Sequence, residues 1–325
     1  MINLVLQPII TLARNTLNFI ILQVQFRLGK MRKSKAEIVI IVGSDCIGTP
    51  AQRFGEVKKR TVLKTPYGKS SPFYTVEAQN RKIMVIYRHG DKKREVDAPF
   101  VNYRANIYAS KELGASRIMA TSAVGSIDPI LRPGDIIIPN DLIDATRRRA
   151  YTFYGGKAHG FIRFNPVFCP EIRQTLIDTA NKFAKRVFTK GTCVVTDGPR
   201  LETPAEIKMF KLLGADVVSQ TISPEVFLAR ELEICYGAIC NVVNYAEGTI
   251  TLPRKSGIFG ELLPDETLVE VENTRRLMPE ILKEAAKSLP KDRDCPCKDA
   301  MDFFKKRKRI PKDWHKWISP ESRKT

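Results

Sequence analysis

The sequence predicts an α/β fold in which a mostly parallel sheet is covered by helices on both faces. Short runs rich in β-branched residues have the length and composition of buried strands. Amphipathic segments of helical period separate these runs, and such alternation is typical of a parallel sheet. The chain has 325 residues and 43% hydrophobic content, which is enough for a large core in one or two domains.

Two predicted strands in the first half end in residues that suit an anion. Residues 37–43 lead into Ser44, whose hydroxyl and neighbouring backbone N–H groups could hold an oxyanion. Residues 82–87 lead into Arg88 and His89, and an arginine offers paired donors that match phosphate oxygens. The alternative is a surface arginine and a hydrogen-bonded histidine that merely follow a strand.

A third strand and two helices are also predicted in this half. The strand at residues 117–123 runs into a turn of small residues, 121–126, whose backbone could approach a ligand closely. Helices are predicted over residues 102–114, with Gly114 as the C-cap, and over residues 170–185.

The stretch from residue 197 to residue 206 is the centre of the predicted site. It follows a strand at Thr192–Val195, and Thr203 and Pro204 have the residue types of a helix N-cap and a first helical position. Glu202 is thereby held at the carboxyl-terminal edge of a strand, where open α/β sheets bind ligands. The alternative is a solvated charge that only favours the helix dipole.

The second half repeats the order of strand, polar strand end and helix. One strand leads into Gln220 and Thr221, and the next leads into Asn244 and Ala246. The predicted elements are strands over residues 215–219 and 237–243 and helices over residues 224–231 and 268–288, the last with a kink at Pro279.

Basic charge is concentrated at the two ends of the chain. The formal net charge is +19, and residues 1–36 and 302–325 contribute +6 each. The remaining excess suits an anionic substrate such as phosphate, and equally suits plain solubility. Residues 1–35 are interpreted as an N-terminal extension, either an amphipathic surface helix or a segment upstream of a functional start at Met31. Their apolar runs are too short to span a membrane.

The seven cysteines indicate a reducing compartment. Five of them are scattered through apolar segments, as reduced core cysteines are. Because no secretory signal is convincing, we expect a cytoplasmic protein. With only three histidines and no clustered Cys/His spacing, the sequence predicts no metal site.

Several motifs, in order along the chain, together resemble one enzyme family. They are RHG at 88–90, VNYRAN at 101–106, ATSAVGS at 120–126, RPGDIII at 132–138, GPRLET at 198–203, SPE at 223–225 and NYAEG at 244–248. Over about residues 36–300 the chain resembles the trimeric purine nucleoside phosphorylase and methylthioadenosine phosphorylase family, and most closely its 6-oxopurine branch. The resemblance implies a single-domain, phosphorylase-type twisted mixed β-sheet surrounded by helices, over residues 36–290.

The resemblance also implies an activity. In phosphorolysis, inorganic phosphate attacks C1′ of a purine nucleoside and releases the free base and ribose 1-phosphate or its methylthio form. The protein would be a homotrimeric pentosyltransferase of purine salvage, with active sites near subunit interfaces. Phosphate is a co-substrate, and no cofactor, metal or covalent enzyme intermediate is expected.

The resemblance assigns residues to the two substrates. The phosphate group comprises Ser44, Arg88, His89, Ser122, the Ala123 backbone and Thr221. The nucleoside group comprises Leu201, Glu202, Gln220, Asn244 and Ala246. Three of these carry the catalytic roles, namely Asn244, Glu202 and His89.

Glu202 and Asn244 predict the base. By resemblance, the carboxylate accepts from N1–H and the amide bonds to N7 and O6, which matches the 6-oxopurine of inosine, guanosine or methylthioinosine. The adenine-cleaving branch instead carries acidic residues at positions 244 and 246 and a small hydroxyl at position 202. A site built for one edge rejects the other because the mismatch leaves buried polar groups unpaired. The alternative is S-methyl-5′-thioadenosine phosphorylase.

Departures from the family pattern add a second alternative, a catalytically weak nucleoside-binding paralogue. Asp45 places an acid beside the phosphate loop, where it would weaken phosphate binding unless it points away. Leu201 stands where a base-stacking Phe is usual, and Gln220 where a ribose-contacting Met is usual. Residues 91–94 lack the second histidine of the family.

Residues 291–325 are predicted as a separate C-terminal segment. By resemblance to some thermophilic relatives, Cys295 and Cys297 form a small disulfide, and two unpaired surface thiols are the alternative. The basic run at 305–309 and the tryptophans that follow it either bind nucleic acid or belong to a solvated tail. A nucleic-acid-associated protein is therefore the third hypothesis for function.

Overall fold

A computed structural model describes residues 37–79, 81–91, 95–155, 159–251 and 263–318. The predictions for the N-terminal extension, including a start at Met31, lie outside the described residues, as does most of the stretch at 91–94. No helix within the described ranges is long and apolar enough to cross a membrane.

Within the described residues, a mixed sheet of eleven strands forms the centre of the fold. Its strands are β1 (Ile38–Val42), β2 (Glu56–Thr61), β5 (Phe73–Ala78), β6 (Arg81–Tyr87), β7 (Arg117–Ser126), β8 (Ile136–Ile137), β9 (Asp141–Asp144), β10 (Val187–Phe188), β11 (Thr192–Val195), β12 (Val217–Ser219) and β13 (Cys235–Tyr245). Two further strands, β3 (Lys64–Thr65) and β4 (Gly68–Lys69), make a separate small ribbon.

Helices surround this sheet. They are α1 (Tyr103–Glu112), α2 (Pro170–Phe183), α3 (Pro204–Leu212), α4 (Ile222–Glu231), α5 (Asp265–Ser288), α6 (Asp302–Lys306) and α7 (His315–Ile318). The predicted helices and strands are present, with ends that differ by a few residues. The helix predicted at 102–114 is α1, and Gly114 just beyond it has φ +102°, the left-handed conformation that favours glycine after a helix.

The side chains of β1 alternate between two apolar cores, one on each face of the sheet. Val39 belongs to the cluster that contains Ile107 of α1. The next residue, Ile40, belongs to the cluster that contains Leu176 of α2 and Leu282 of α5. Because successive strand residues point to opposite faces, this alternation shows that helices cover both faces, as predicted.

The sheet is mixed, as the resemblance implied. β1 pairs in parallel with both β6 and β7, and β7 pairs in parallel with β13. The pairings β5–β6, β2–β5, β12–β7 and β13–β8 are antiparallel. Strands β2 and β5 were not predicted, because β2 reads EVKKRT and most of its side chains are exposed, so that it lacks an apolar run.

β7 and β13 lie side by side over their whole lengths and form the longest pairing of the sheet. Cys235 lies opposite Arg117 at one end, and Tyr245 lies opposite Ser126 at the other. The register shifts between Val242 and Asn244, so that one extra residue of β13 is accommodated there. Such a β-bulge changes the direction in which neighbouring side chains point.

The C-terminal segment packs on the domain through its apolar side chains, so the expectation of a solvated tail is wrong for these, whereas the side chains of residues 306–309 are exposed. Phe304 and Trp317 are buried in the same cluster as α1. Lys305, in the middle of the basic run, places Nζ 2.6 and 2.7 Å from the two carboxylate oxygens of Glu233. Part of the positive charge that suggested nucleic-acid binding is therefore neutralised within the fold.

Candidate active site

A cavity opens at the edge of the sheet where β1, β6, β7 and β13 approach their carboxyl ends. These strands run in parallel, so the residues at and after their ends share one edge. The cavity is lined by Ser44, His89, Ala98, Ser122, Ala123, Val124, Gly125, Leu201, Glu202, Val218, Ser219, Gln220, Thr221, Val243, Asn244, Ala246 and Glu247. Every residue that the resemblance assigned to the substrates is among them except Arg88.

His89 has a fixed ring orientation on the cavity wall. The ring is buried, and Nδ1 lies 2.8 Å from the backbone carbonyl oxygen of Val96. Because a carbonyl only accepts, Nδ1 carries the proton and donates it. This contact sets the tautomer and aims the rest of the imidazole, as a partner on the second ring nitrogen does at many catalytic histidines.

Three hydroxyl groups of the cavity lining form a cluster. The Oγ of Ser122 lies 2.8 Å from the Oγ of Ser219 and 3.2 Å from the Oγ1 of Thr221. The backbone N–H of Thr221 also donates to Ser219, at 3.3 Å. Ser219 was missed by sequence reasoning, because as the last residue of a short apolar strand it gives no separate signal.

Arg88 lies behind the cavity wall rather than in it. Its Nε and Nη2 donate to the two carboxylate oxygens of Glu225 at 2.6 and 2.9 Å, and Nη1 donates to the backbone carbonyl of Thr121 at 3.0 Å. Both side chains of this bidentate ion pair are fully buried. The guanidinium thus holds the wall together, and the resemblance-based assignment of Arg88 to phosphate stays a prediction.

Asp45 points into the domain and does not line the cavity. Its carboxylate accepts from the Thr121 hydroxyl at 2.7 Å, and that hydroxyl in turn accepts from the Gly43 backbone N–H at 2.8 Å. Burial raises the pKa of Asp45 above its usual range, which favours the neutral carboxylic acid. The acid beside Ser44 therefore does not face the cavity.

Glu202 reaches the cavity from the loop between β11 and α3. Its side chain is buried, and one carboxylate oxygen accepts from the Thr196 hydroxyl at 2.5 Å. The following helix begins as predicted, because Thr203 caps it in a reciprocal capping box with Glu206 and Pro204 is its first residue. A rigid helix start directly after Glu202 thus positions this carboxylate.

Asn244 enters the cavity from β13, immediately after the bulge. Its Nδ2 donates to the backbone carbonyl of Tyr245 at 2.8 Å, which orients the amide. Val243, the extra residue of the bulge, lines the cavity beside it. The backbone N–H of Ala246 is fixed by a 2.8 Å bond to the carbonyl of Ser126, so the loop stays close to β7.

Gln220 links the two loops that carry the acid and the hydroxyl cluster. Its Nε2 donates to the backbone carbonyl of Arg200 at 3.0 Å. Gly198 has φ +70°, and a Cβ at that position would overlap the Gln220 side-chain amide. The loop therefore needs glycine there, for conformation and for space. Leu201 completes this wall, next to Glu202.

The comparisons with known proteins agree with one another. A family model described as Phosphorylase superfamily matches residues 37–274. A probable S-methyl-5′-thioinosine phosphorylase from Thermodesulfovibrio yellowstonii is 41% identical over 271 residues, which are 83% of this chain and 97% of that protein. The 6-oxopurine nucleoside phosphorylase of Pyrococcus furiosus is 39% identical, over 81% of this chain and 97% of that protein.

Solved structures of methylthioadenosine phosphorylases also superpose on this chain. A methylthioadenosine phosphorylase from Schistosoma mansoni, in complex with adenine, superposes with a TM-score of 0.69 at 29% identity, covering 78% of this chain and 91% of that one. A methylthioadenosine phosphorylase from an antarctic soil metagenomic library superposes with a TM-score of 0.72 at 29% identity, over 82% and 91%. The chain belongs to the phosphorylase superfamily.

Proposed function

We propose that this protein catalyses the phosphorolysis of 6-oxopurine nucleosides such as inosine, guanosine or methylthioinosine. One observation carries the proposal: a carboxylate and an amide, Glu202 and Asn244, line the same cavity as Ser44, His89 and the hydroxyl cluster. Their chemistry matches a purine edge, and the hydroxyls and the imidazole match an inorganic anion. The products are the free base and ribose 1-phosphate or its methylthio form.

Base recognition rests on what each side chain can accept and donate. A 6-oxopurine presents an N1–H donor and an O6 acceptor. Glu202 as a carboxylate only accepts, so it suits N1–H. The amide of Asn244 has both a donor and an acceptor, so it suits O6 and N7. Since Thr196 already holds one oxygen of Glu202, the carboxylate is oriented before the base arrives.

The reaction follows from holding both substrates together. An oxygen of phosphate forms the new bond to C1′, the C1′–N9 bond breaks, and its electron pair leaves with the purine. Protonation at N7 neutralises the departing base, and Asn244 would stabilise that N7–H. Ser44, His89 and Thr221 would hold the phosphate, so positioning and electrostatics would supply the catalysis.

The proposal extends to the assembly and surroundings that the resemblance implies. The protein would be a homotrimer that acts in purine salvage in the cytoplasm, and its reaction would need phosphate but no cofactor or metal. Sedimentation equilibrium of the full chain tests the trimer, and a monomer that is fully active would contradict it.

S-methyl-5′-thioadenosine phosphorolysis is the second candidate. A relative from Thermofilum pendens that is 37% identical over 82% of this chain is named S-methyl-5′-thioadenosine phosphorylase. A 6-aminopurine, however, has an unprotonated N1 that would face the Glu202 carboxylate, so two acceptors would meet. The cavity therefore favours the 6-oxopurine.

An activity panel separates these functions. Inosine, guanosine, adenosine and their 5′-methylthio forms are incubated with the enzyme, with and without phosphate, and the free bases are quantified. We expect hypoxanthine and guanine to be released only when phosphate is present. Preferential release of adenine would favour the second candidate, and no release of any base would favour a catalytically weak paralogue.

A further inference from the structure

Four cysteines from three distant parts of the chain meet in one buried cluster. Cys169 immediately precedes α2, Cys235 is the first residue of β13, and Cys295 and Cys297 flank a proline beyond α5. All four are buried, and their sulfur atoms all lie within 4.8 Å of one another. The sequence predicted neither this cluster nor the burial of Cys295 and Cys297, because the fold and not the local spacing brings the cysteines together.

We propose that this cluster is a structural zinc site in which Cys169, Cys235, Cys295 and Cys297 are the four ligands. Zn²⁺ in structural sites is tetrahedral, and a Zn–S bond of about 2.3 Å places the four sulfur atoms about 3.8 Å apart. The cysteines already occupy a volume of that size. The sulfur atoms of Cys235 and Cys295 lie 3.3 Å apart.

The surroundings suit an anionic centre. When the four thiols bind one Zn²⁺ they release four protons, and the site keeps a net charge of −2. Arg293 offsets this charge, because its Nη1 lies 3.8 Å from the sulfur of Cys235. Cys169 sits at the amino end of α2, a 14-residue helix whose dipole favours a thiolate there.

Arg293 is itself held by the backbone carbonyls of Ser116 and Glu233, at 3.3 and 2.7 Å, so its charge is fixed beside the cluster.

The site would fasten the C-terminal segment to the domain. Two ligands come from that segment and two from the starts of α2 and β13. Cys235 and Asn244 stand nine positions apart on β13, which is about 30 Å along a strand. The zinc would thus support the fold at the end of β13 opposite to the substrate cavity and would take no part in phosphorolysis.

Metal analysis of the full chain tests the proposal. The protein is purified without chelator and its metal content is measured by plasma mass spectrometry, with an expected content of about one zinc per chain. The variants Cys295→Ser and Cys297→Ser should lose most of this zinc. Cys193→Ser is the matched control, because Cys193 is a buried cysteine outside the cluster and its loss should leave the zinc in place.

A second measurement does not depend on the variants. Wild-type protein loaded with Co²⁺ should show the absorption bands of a tetrahedral cobalt tetrathiolate. Intact mass under non-reducing conditions reports the competing chemistry. A mass lower by two or four hydrogen atoms with no bound metal would show disulfides and overturn the proposal, as would four free thiols without metal.

Discussion

Glu202 has the two properties that a base-binding carboxylate needs, namely burial and a fixed orientation. It is only 7% exposed, and the Thr196 hydroxyl holds one of its oxygens at 2.5 Å. A carboxylate held in this way gains more from a charge-assisted hydrogen bond than one in water, because the surrounding dielectric is lower. This residue is therefore expected to discriminate between purines.

Replacing Glu202 by glutamine tests that role. In Glu202→Gln one carboxylate oxygen becomes an NH₂ group. If this NH₂ faces N1–H of the base, two donors meet, and if it faces Thr196, the hydrogen bond from the Thr196 hydroxyl is lost. We expect kcat/KM for inosine to fall by roughly 10- to 100-fold, the value of one charge-assisted hydrogen bond. Glu206→Gln is the matched control, since Gln also completes a capping box. Equal kcat/KM values for Glu202→Gln and the wild type would remove Glu202 from base recognition.

Asn244 should set the preference between the two classes of purine. In Asn244→Asp the NH₂ donor to O6 is replaced by an acceptor, which repels a 6-oxo group and attracts a 6-amino group. The ratio of kcat/KM for inosine to that for adenosine should fall roughly 100-fold. Asn140→Asp is the matched control, because Asn140 lies on the exposed surface and the variant makes the same chemical change outside the cavity. Unchanged selectivity in Asn244→Asp would count against the assigned pocket.

Individual site residues were predictable where a residue follows a strong strand pattern. Ser44, His89 and Asn244 all do so, and all line the cavity. Arg88 follows the same rule, but its partner Glu225 lies 137 positions away, so the sequence could not show that the guanidinium is engaged. Ser219 carried no signal, because a serine at the end of VVS looks like any small polar strand terminus.

At the scale of single elements, the loop between β11 and α3 depends on Gly198. Gly198→Ala would cost about 1–2 kcal/mol for the left-handed backbone and would also displace Gln220 from the cavity. We expect lower stability in urea denaturation together with a raised KM for the nucleoside. Gly214→Ala is the matched control, since it has φ +86° with open space around it and should lose stability only. If both variants shift KM equally, Gln220 is not the cause.

Elements with a strong apolar pattern could be located from the sequence, whereas exposed edge elements could not. Thr192–Val195 has the predicted bounds, and α3 begins where its cap residues place it. β2 and β9 expose many side chains, and their pairing depends on β5 and β11 rather than on local pattern. The bulge in β13 likewise arises from pairing, so its position beside Asn244 could not be predicted.

At the scale of the whole molecule, the Arg88–Glu225 pair joins the end of β6 to α4 through the protein interior. Arg88→Ala leaves Glu225 buried without its cation, which should lower the free energy of unfolding by about 3–5 kcal/mol. The double variant Arg88→Met, Glu225→Gln should recover part of that loss. Arg200→Ala breaks a largely exposed pair and should cost under about 1 kcal/mol.

The same variants also decide the role that the resemblance gives to Arg88. If the guanidinium only holds the wall, the double variant should keep a KM for phosphate near that of the wild type. A stable Arg88→Ala protein with a strongly raised KM for phosphate would instead place the guanidinium on the anion. Denaturation curves and phosphate titrations of each variant provide both numbers.

Long-range packing limited what the sequence could reveal about the whole chain. The role of the basic run at 305–309 was interpreted from composition alone, which could not show that the neighbouring Phe304 and Trp317 bury their rings against the domain. The four clustered cysteines are spread over positions 169 to 297, so only the folded chain shows that they meet. The helical layers on both faces of the sheet were predictable, because regular alternation along the chain encodes them, whereas the mixed character of the sheet was implied only by the resemblance.

A crystal structure of the full chain with hypoxanthine and phosphate would test the central claim most directly, namely that one cavity holds both substrates. We predict hypoxanthine with N1 within hydrogen-bond distance of Glu202 and N7 or O6 within reach of Asn244, and phosphate beside Ser44, His89 and Thr221. Base or phosphate bound in a different cavity, with these side chains untouched, would contradict the claim.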